Sequence, residues 1–390
     1  QNHADHWIAS EGQGLYRFHA PSNRWQQFSR ATPATGPGDD FLYALAQGKK
    51  HRLWVGTLNH GVSVFNGAAW QTYNTWGPSA GPLGNHVFAL AANLQNGDVW
   101  IATNEGLTRY NDTDQSWSTF GRPEGLPSDQ ARAIAIAPSG DVFVATALDG
   151  LLIGHPADNF HHWDHIPGPA DTNDEPAAPS GTGLPSGEGT ALAIDATGRI
   201  FLGTTTGLAV SSDNAKSFSF LRGKDWVEKV QRRYAGAPDN FQPSDDGLLS
   251  EDWITSLTLD GQNKLWITHR TTGFERFDPA KNAILLSQTD SPMLDTGKKA
   301  VNFVRALAIA PDGRPLIGRH ERLDQGRQEP GLAQELGVLE VEVLHDRLGV
   351  VEHLAHGVVL RVRPDFRVAV LEVLADHDQG HQQQLDDVAQ

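Results

Sequence analysis

The sequence predicts an all-β fold, a β-propeller of six to seven four-stranded blades, followed by an anomalous C-terminal segment. A four-residue motif led by an aromatic side chain recurs six times, and a glycine follows each copy six or seven residues later. Each glycine is followed by an apolar residue, so each copy predicts a β-hairpin whose second strand begins at the glycine. The copies are Trp7-Ile8-Ala9-Ser10, Trp54-Val55-Gly56-Thr57, Trp100-Ile101-Ala102-Thr103, Phe143-Val144-Ala145-Thr146, Phe201-Leu202-Gly203-Thr204 and Trp266-Ile267-Thr268-His269.

Another predicted strand precedes the hairpin and is the first of the blade, so the hairpin supplies the second and third strands, and a fourth follows. The first strand alternates small and bulky aliphatic residues, as in 87–92, 131–136, 190–195 and 304–309. Small side chains suit the crowded innermost strand near a central axis. The fourth carries an aromatic residue, as at Trp25, Trp70, Trp117 and Phe218. Four strands per repeat indicate a propeller blade, since a solenoid would need shorter repeats and a sandwich would not repeat its sequence.

The repeats place blade starts near residues 1, 41, 87, 131, 190, 253 and 304. Residues 7–30 supply three outer strands without an inner strand, and residues 304–309 supply an inner strand without outer partners. Pairing these two ends would close six blades. If further outer strands exist, the number is seven or more. Blades four and five carry long insertions, at about 155–189 and 222–250.

Composition excludes several classes of function. The 390 residues carry a formal net charge of −16, which disfavours nucleic acid as a partner. The chain contains no cysteine, so disulfides and thiolate metal sites are excluded. The sequence contains no stretch of 18 or more apolar residues, and so it predicts no membrane span. The first residue is Gln1, which indicates a matured chain or a fragment.

The repeats over about residues 5–318 resemble those of the two-component regulator propellers, and two segments carry the resemblance most clearly. They are Gly125-Leu126-Pro127-Ser128-Asp129-Gln130 with the strand and turn after it, and Gly97-Asp98-Val99-Trp100-Ile101-Ala102-Thr103-Asn104-Glu105-Gly106-Leu107-Thr108-Arg109-Tyr110-Asn111. The resemblance implies a periplasmic or extracellular sensor domain that binds a ligand and is often joined to a histidine kinase. The kinase portion is absent here. The expected partners are a small molecule or glycan, or a protein such as a histidine kinase, with no cofactor.

Residues 319–390 differ in composition from the rest of the chain. Ser, Thr, Asn, Lys, Ile, Met, Trp and Tyr are all absent, and every residue type present except Phe366 has codons that begin with G or C. Such a pattern is typical of a GC-rich gene read in another frame or on the opposite strand. We interpret this segment as an artefact of frameshift or misassembly. The alternative is a genuine acidic appendage, and we assign no metal site to its histidines.

Two motifs outside the tail could carry chemistry. The segment Ser211-Ser212-Asp213-Asn214-Ala215-Lys216-Ser217-Phe218 resembles the Asp-box of sialidase-related propellers, with Ala215 where the pattern has Gly, and predicts a structural turn. The cluster His161-His162-Trp163-Asp164-His165 could bind Zn²⁺ or Cu²⁺, but alternate residues of a strand point to opposite faces. We therefore interpret it as structural, with Trp163 in the aromatic position of a fourth strand.

One end of the propeller gathers the turns between second and third strands and the links between blades, and we expect a ligand to bind there. The predicted rim residues are Asn59, His60, Asn104, Glu105, Arg132, Asp149, His269, Arg270 and Arg305. The first hypothesis is a non-catalytic sensor or ligand-binding propeller. The second is a carbohydrate-active or lyase-type enzyme, for which Glu105, Asp149 and Asp252 are carboxylate candidates by location only. The third is a protein-binding scaffold of the cell envelope.

Overall fold

The computed structural model describes residues 5–19, 22, 24–31, 36–77, 80–169, 174–235, 246–288, 303–309, 315–321, 337–344, 351–352, 360–362 and 368–373. For residues 5, 233–235, 303, 305 and all strand residues from 317 onward it describes the backbone alone.

Strand-forming repeats fold into small antiparallel sheets. The first group of strands is β1 (Asp5–Ser10), β2 (Leu15–His19) and β3 (Arg24–Phe28). The next sheet is β4 (Leu42–Gln47), β5 (Leu53–Thr57), β6 (Val62–Phe65) and β7 (Trp70–Tyr73), hydrogen-bonded in chain order. Every residue of β5, the aromatic-led strand, is buried. The strand therefore reads as a continuous apolar run rather than an alternating one, because both of its faces are covered.

Four more sheets repeat this order. The first two contain β8 (Val87–Ala92), β9 (Val99–Thr103), β10 (Gly106–Asn111) and β11 (Ser116–Phe120), and then β12 (Ala131–Ile136), β13 (Val142–Thr146), β14 (Leu151–Gly154) and β15 (Trp163–Ile166). The third contains β17 (Gly189–Ile194), β18 (Ile200–Thr204), β19 (Gly207–Ser211) and β20 (Ser219–Leu221), with the short strand β16 (Ser180–Thr182) paired to the outer side of β20. The fourth contains β21 (Ile254–Leu259), β22 (Leu265–His269), β23 (Phe274–Asp278) and β24 (Ala283–Gln288).

The remaining strands close the ring. They are β25 (Phe303–Ile309), β26 (Pro315–Glu321), β27 (Gly337–Leu344), β28 (Val351–Glu352), β29 (Leu360–Val362) and β30 (Val368–Val373). The predicted pairing of residues 7–30 with 304–309 does not occur, because β30 pairs with β1 and β25 pairs with β26. The inner strands lie side by side in the order β4, β8, β12, β17, β21, β25 and β30, which returns to β4. The predicted β-propeller of six to seven blades is confirmed.

The C-terminal strands β27 to β30 lie within residues 319–390, and β26 crosses the predicted boundary at residue 318. The interpretation of this segment as a frame change stays a prediction about the gene. Long-read sequencing across codon 318 tests it. Further Trp-Ile-Gly-Thr-like repeats in another frame would support the frame change, and an intact frame would contradict it.

Aromatic residues pack the blades against one another. The ring of Trp54 lies 5.0 Å from Tyr110 and 6.2 Å from Trp117, which belong to the next blade. One blade further on, Trp100 lies 4.7 Å from Phe160 and 6.0 Å from Trp163. Pairs of this kind add roughly 0.5–1.5 kcal/mol each beyond the burial of apolar area. The predicted packing role of Trp163 is therefore confirmed.

A glycine is required where the second strand turns into the third. Gly106 has φ of +127°, and a Cβ at this position would lie 2.4 Å from the carbonyl oxygen of Phe120. Any L side chain would clash with the neighbouring strand and strain the backbone. This constraint explains the glycine that follows each aromatic-led strand in the sequence.

The Asp-box-like segment forms the predicted turn. The Asp213 carboxylate accepts hydrogen bonds from Ser217 N (3.0 Å) and Ser217 Oγ (2.5 Å), and also from Ser211 Oγ (2.9 Å). These hydrogen bonds lower the pKa of Asp213 to about 2. Phe218 is buried in the cluster between two blades. The segment is a structural turn.

The second insertion contains a helix, α1 (Trp226–Ala235), between β20 and β21. Within the described residues, no helix has the length and apolar character needed to cross a membrane.

Candidate functional site

The inner strands of six blades share a β-bulge near their first residue. In β4, β8, β12, β17, β21 and β25 the pairing register shifts across one residue, which is left out of the ladder. A bulge redirects a side chain and is frequent beside binding sites. The residues at the shift are Tyr43, Phe88, Arg132, Thr190, Thr255 and Arg305.

These positions lie at one end of the central channel, which we call the mouth. Leu42 pairs with Thr57, so each inner strand begins beside the turn between the second and third strands of its blade. A cavity of about 410 Å³ opens here. Its lining residues are Tyr43, Phe88, Arg132, Ala147, Glu188, Gly189, Thr190, Thr205, Trp253, Ile254 and Thr255. The volume falls within the range of small-ligand pockets.

Planar side chains stack along one side of the mouth, on β4, β8 and β12. The ring of Tyr43 lies 5.5 Å from His86, and His86 lies 4.1 Å from Phe88, both pairs nearly parallel. The guanidinium carbon of Arg132 then lies 4.0 Å from the centre of the Phe88 ring. We call this row of Tyr43, His86, Phe88 and Arg132 the aromatic arc. Stacking holds each member against its neighbour, so the arc offers a rigid surface of rings and a guanidinium group to a ligand.

The other side of the mouth, on β17 and β21, is mainly polar. Thr205 Oγ1 donates a hydrogen bond to Glu188 Oε2 over 3.1 Å. Thr190 Oγ1 is buried in the lining and has no hydrogen-bond partner among the described residues. Trp253 adds an aromatic ring at this side, with the Arg270 guanidinium stacked 4.0 Å from its centre. Donors and acceptors on this side can fix the orientation of a ligand whose flat face contacts the aromatic arc.

A buried ionic cluster anchors the base of α1 beside the mouth. Arg222 and Asp252 are both fully buried, and Arg222 Nη2 lies 2.6 Å from Asp252 Oδ2. Asp252 Oδ1 also accepts from Gly223 N over 2.7 Å, and Asp252 N donates to Asp225 Oδ1 over 2.7 Å. Lys229 Nζ, from α1, lies 3.5 Å from Asp252 Oδ2 and donates to the carbonyl oxygen of Thr205 over 2.8 Å. The cluster thus connects α1 directly to the cavity lining.

The surroundings of Asp225 disfavour the charged form of its carboxyl group. Burial, together with the neighbouring Asp252 carboxylate, raises the pKa of Asp225 from 3.8 to about 6, although Lys229 opposes the shift. The folded protein therefore holds a proton on Asp225 where the unfolded chain has lost it. As a result, the contribution of this group to the free energy of unfolding is highest below about pH 4, where Asp225 is neutral in both states, and it falls as the pH rises to about 6 and the buried carboxyl becomes charged.

Asp225→Asn is expected to stabilise the protein at pH 7 by about 1–3 kcal/mol and to change nothing below pH 4. Asparagine keeps an oxygen for Asp252 N and removes the buried charge. The measurement is urea unfolding of both proteins from pH 4 to pH 8. Asp213→Asn is the control. The low pKa of Asp213 means that its carboxylate is charged in both the folded and the unfolded chain above pH 5, so the change in stability caused by this variant should not depend on pH there. A gain from Asp225→Asn that is independent of pH would contradict the assignment.

The structure places the predicted rim residues in different environments. Of the nine, Arg132 lines the cavity and Arg270 stacks on a lining residue. Asn104 and Glu105 are exposed beside the mouth. Arg305 occupies a bulge position on β25, but its side chain lies outside the described residues.

The other predicted rim residues make structural contacts. Asn59 is exposed, with its backbone N–H donating to Asp39; His60 Nδ1 lies 3.0 Å from the same carboxylate. Asp149 Oδ2 accepts from Ser128 Oγ over 2.5 Å. His269 is fully buried, with Nε2 3.0 Å from Glu275 Oε2, and so its prediction as an exposed rim residue is wrong. It follows the second strand as expected, but Glu275 on β23 draws the ring inward.

Sequence reasoning missed most of the cavity lining, including Tyr43, Phe88, Thr190, Trp253 and Thr255. A signal for them existed. In β4, β8, β12, β17 and β21 the second residue departs from the small-and-aliphatic pattern, as in Leu42-Tyr43-Ala44, Val87-Phe88-Ala89 and Ala131-Arg132-Ala133. A large side chain at that position is out of register with the packing pattern, which points to a bulge.

The histidine cluster of residues 161–165, at the start of β15, is held by local contacts. His161 Nδ1 lies 2.6 Å from the Asp158 carbonyl oxygen, and His162 Nδ1 lies 3.0 Å from Asp158 Oδ2. His165 Nε2 lies 2.6 Å from the carbonyl oxygen of Asp149. The imidazoles thus have separate partners, and in the described part of the chain no group of three or more His, Asp or Glu side chains is placed to hold a metal ion.

Comparisons with known proteins reveal similarity only at the level of structure. No family model matches the chain, and no curated protein matches it. PorZ, a surface component of the type-IX secretion system of Porphyromonas gingivalis, is 18% identical with a TM-score of 0.52, covering 78% of this chain and 41% of PorZ. The extracellular domain of BT3049, a proposed hybrid two component system of B. thetaiotaomicron, is 16% identical with a TM-score of 0.45, covering 89% of this chain and 56% of that domain.

A second extracellular domain from B. thetaiotaomicron, that of BT4673, is 15% identical with a TM-score of 0.34, covering 90% of this chain and 53% of that domain. The chain thus spans about half the length of the solved structures it matches. At these identities the PorZ similarity supports the propeller fold and nothing more specific.

Proposed function

We propose that this protein is a non-catalytic, ligand-binding propeller of the periplasm or cell exterior and serves as a sensor domain. The observation that carries the proposal is the ring of bulge residues at the mouth. Six blades repeat the same local distortion, and the residues placed there are of four types: one Tyr, one Phe, two Arg and two Thr. A distortion needed only for packing would favour similar side chains in each blade. Varied, rigidly held side chains around one cavity are typical of a recognition site.

The extracytoplasmic location and the signalling role rest on the resemblance of residues 97–111 and 125–143 to two-component regulator propellers. In that setting the ligand is a small molecule or glycan, and the protein partner is a histidine kinase. The lining also agrees with binding rather than hydrolysis. Glycoside hydrolysis needs two carboxyl groups about 5–10 Å apart, and Glu188 is the single carboxylate among the described lining residues.

Equilibrium binding without turnover tests this proposal. A panel of metabolites and oligosaccharides would be titrated by calorimetry, and each bound compound would be recovered and analysed by chromatography. We expect saturable binding of at least one compound, recovered unchanged. Cleavage of the bound compound would support the carbohydrate-active enzyme instead, and a panel without any binder would contradict a small-ligand function.

One observation favours the protein-binding scaffold as a second candidate. Phe41, Trp76 and Leu148 lie in turns and links at the mouth end and are 39%, 67% and 65% exposed. The ring of Trp76 contacts only the edge of His60 among the aromatic neighbours described, at 5.5 Å. Exposed large side chains on one face often anchor a protein partner. This candidate would be favoured if a periplasmic protein is captured by the native protein without any small ligand and is no longer captured by Trp76→Ala.

A further inference from the structure

We propose that the two insertions hold one wall of the mouth cavity, and that Lys229 is a positioning residue whose hold on this wall weakens when Asp225 becomes charged. The inference rests on the ligand-binding function proposed above, because it concerns the regulation of the same site. The wall is the turn at 204–207 between β18 and β19, which contributes Thr205 to the cavity lining.

Three side chains from the insertions hold this turn. Glu188, at the end of the first insertion, accepts from Thr205 Oγ1 over 3.1 Å, and Glu175 of the same insertion accepts from Thr206 Oγ1 over 2.9 Å. Lys229, in α1 of the second insertion, donates to the carbonyl oxygen of Thr205 over 2.8 Å. We call Glu175, Glu188 and Lys229 the clasp. The two insertions thus meet at one edge of the cavity.

The buried Arg222 joins the two insertions. Its guanidinium donates to the carbonyl oxygen of Pro176 in the first insertion and pairs with Asp252 after the second. Its backbone N–H donates to the carbonyl oxygen of Pro179 over 2.8 Å, and its own carbonyl oxygen accepts from Leu249 N over 3.2 Å. A buried side chain with its donors paired is held in one position. The clasp therefore extends from a fixed base.

The turn closes through its own hydrogen bonds. Residues 103–106 form the same turn between β9 and β10, in a blade without a long insertion. In both turns the threonine hydroxyl donates to the carbonyl oxygen of the glycine three residues later, over 3.0 Å from Thr103 and 2.8 Å from Thr204. The same hydroxyls accept from the N–H two residues later, over 3.1 Å and 3.0 Å. The clasp therefore adds restraint to a turn that is already complete.

The ammonium group of Lys229 has two carboxylates nearby as well as the carbonyl. Its Nζ lies 3.5 Å from Asp252 Oδ2 and 3.7 Å from Asp225 Oδ2, both farther than the carbonyl oxygen of Thr205 at 2.8 Å. Asp252 is already paired with Arg222. A charged carboxylate is a stronger acceptor than a carbonyl. A charged Asp225 thus competes with Thr205 for Lys229, whereas a protonated Asp225 leaves the lysine on the wall.

The charge of Asp225 changes near neutral pH. Burial and the Asp252 carboxylate raise its pKa to about 6, Lys229 opposes this rise, and Glu251 adds to it. The charged groups that face Asp225 are therefore Asp252 and Glu251 from the link before β21 and Lys229 from α1, with Arg222 paired to Asp252 beside them. Below about pH 6 Asp225 is neutral and Lys229 holds the wall. Above it, Lys229 is drawn toward Asp225 and the wall loosens.

Hydrogen exchange at the turn tests this inference without a ligand. Thr205 N donates to the carbonyl oxygen of Glu188 over 3.2 Å, so its exchange reports loosening of the wall. Exchange of residues 204–207 would be followed by NMR at pH 5 and pH 8 in the native protein and in Asp225→Asn. Comparison at the same pH removes the intrinsic pH dependence of exchange. We expect equal rates at pH 5 and about 10-fold faster exchange in the native protein at pH 8, with residues 103–106 alike in both.

Lys229→Met removes the positioning group itself. At pH 5 the turn at 204–207 should exchange about 10-fold faster than in the native protein, and at pH 8 at about the native rate. Lys224→Met, which removes an exposed lysine just before α1, is the matched control and should change neither rate. Equal exchange of the native protein and Asp225→Asn at pH 8 would overturn the role of Asp225. Native rates in Lys229→Met at pH 5 would overturn the clasp.

A second measurement connects the clasp to binding. The tightest-binding compound of the titration panel would be titrated by calorimetry at pH 5 and pH 8. We expect about 3-fold to 10-fold weaker binding to the native protein at pH 8, and no such loss in Asp225→Asn. Because Asp225→Asn keeps Glu188 and His86, any titration of those groups or of the compound occurs in both proteins. The same pH dependence in both would contradict the coupling. A panel without any binder would contradict the proposed function, while the exchange experiment still decides the clasp.

Discussion

Replacing Asp252 with alanine is expected to destabilise the protein by about 3–5 kcal/mol, the largest effect of any single substitution considered for this fold. The change leaves Arg222 fully buried without its carboxylate partner. It also removes the acceptor of Gly223 N and one of the two carboxylates facing Lys229. Because folded domains are stable by only about 5–15 kcal/mol, a loss of this size should be obvious in urea unfolding.

Asp129→Asn is the matched control. Asp129 also pairs with an arginine, Arg122, but that arginine is 59% exposed. An exposed pair contributes about 0–1 kcal/mol. A second variant, Arg222→Met with Asp252→Leu, removes both charges and should recover much of the stability lost in Asp252→Ala. Equal effects of Asp252→Ala and Asp129→Asn would show that the cluster does not anchor the insertion as described.

The largest effect on binding is expected at the two ring residues that line opposite sides of the cavity. Phe88→Ala or Trp253→Ala should each weaken the binding of the ligand found by titration about 30-fold or more, the effect of losing a hot-spot aromatic residue. Each substitution removes the apolar surface and also frees the stacked arginine, Arg132 or Arg270. Both rings are half-buried, so unfolding should be monitored alongside calorimetry.

Leu94→Ala provides the comparison for these two variants. Leu94 is 63% exposed and lies in the turn after β8, at the end of the propeller away from the mouth. Its loss should change neither affinity nor stability appreciably. If Phe88→Ala and Trp253→Ala retain full affinity while folded, the ligand does not occupy the mouth cavity.

The fold could be predicted from the sequence because its determinants are local and repeated. The aromatic-led strand and the glycine after it recur with nearly constant spacing, and the clash at Gly106 explains why. Closure of the ring could not be predicted in the same way. The pairing of β1 with β30 joins residues at the two ends of the chain, and nothing in the repeat pattern specifies that long-range partner.

The predicted rim and the candidate cavity lie at the same end of the propeller, but they share few residues. Arg132 lines the cavity, and Arg270 stacks on the lining residue Trp253. His269 was misplaced because burial depends on Glu275, which lies on the next strand and is visible only once the register is known. Phe88 was taken as an ordinary residue of the strand 87–92 and Tyr43 was not singled out, since a bulge depends on how two strands pair and not on one strand alone.

The central claim is that the ligand binds at the ring of bulge residues, and hydrogen exchange tests it most directly. Amide exchange would be followed by mass spectrometry with and without the tightest-binding compound of the titration panel. We predict protection confined to peptides that contain Tyr43, Phe88, Arg132, Thr190 and Thr255, with no change in the groove between Ser180–Thr182 and Phe277 at the side of the propeller. Protection in that side groove, with none at the mouth, would contradict the account.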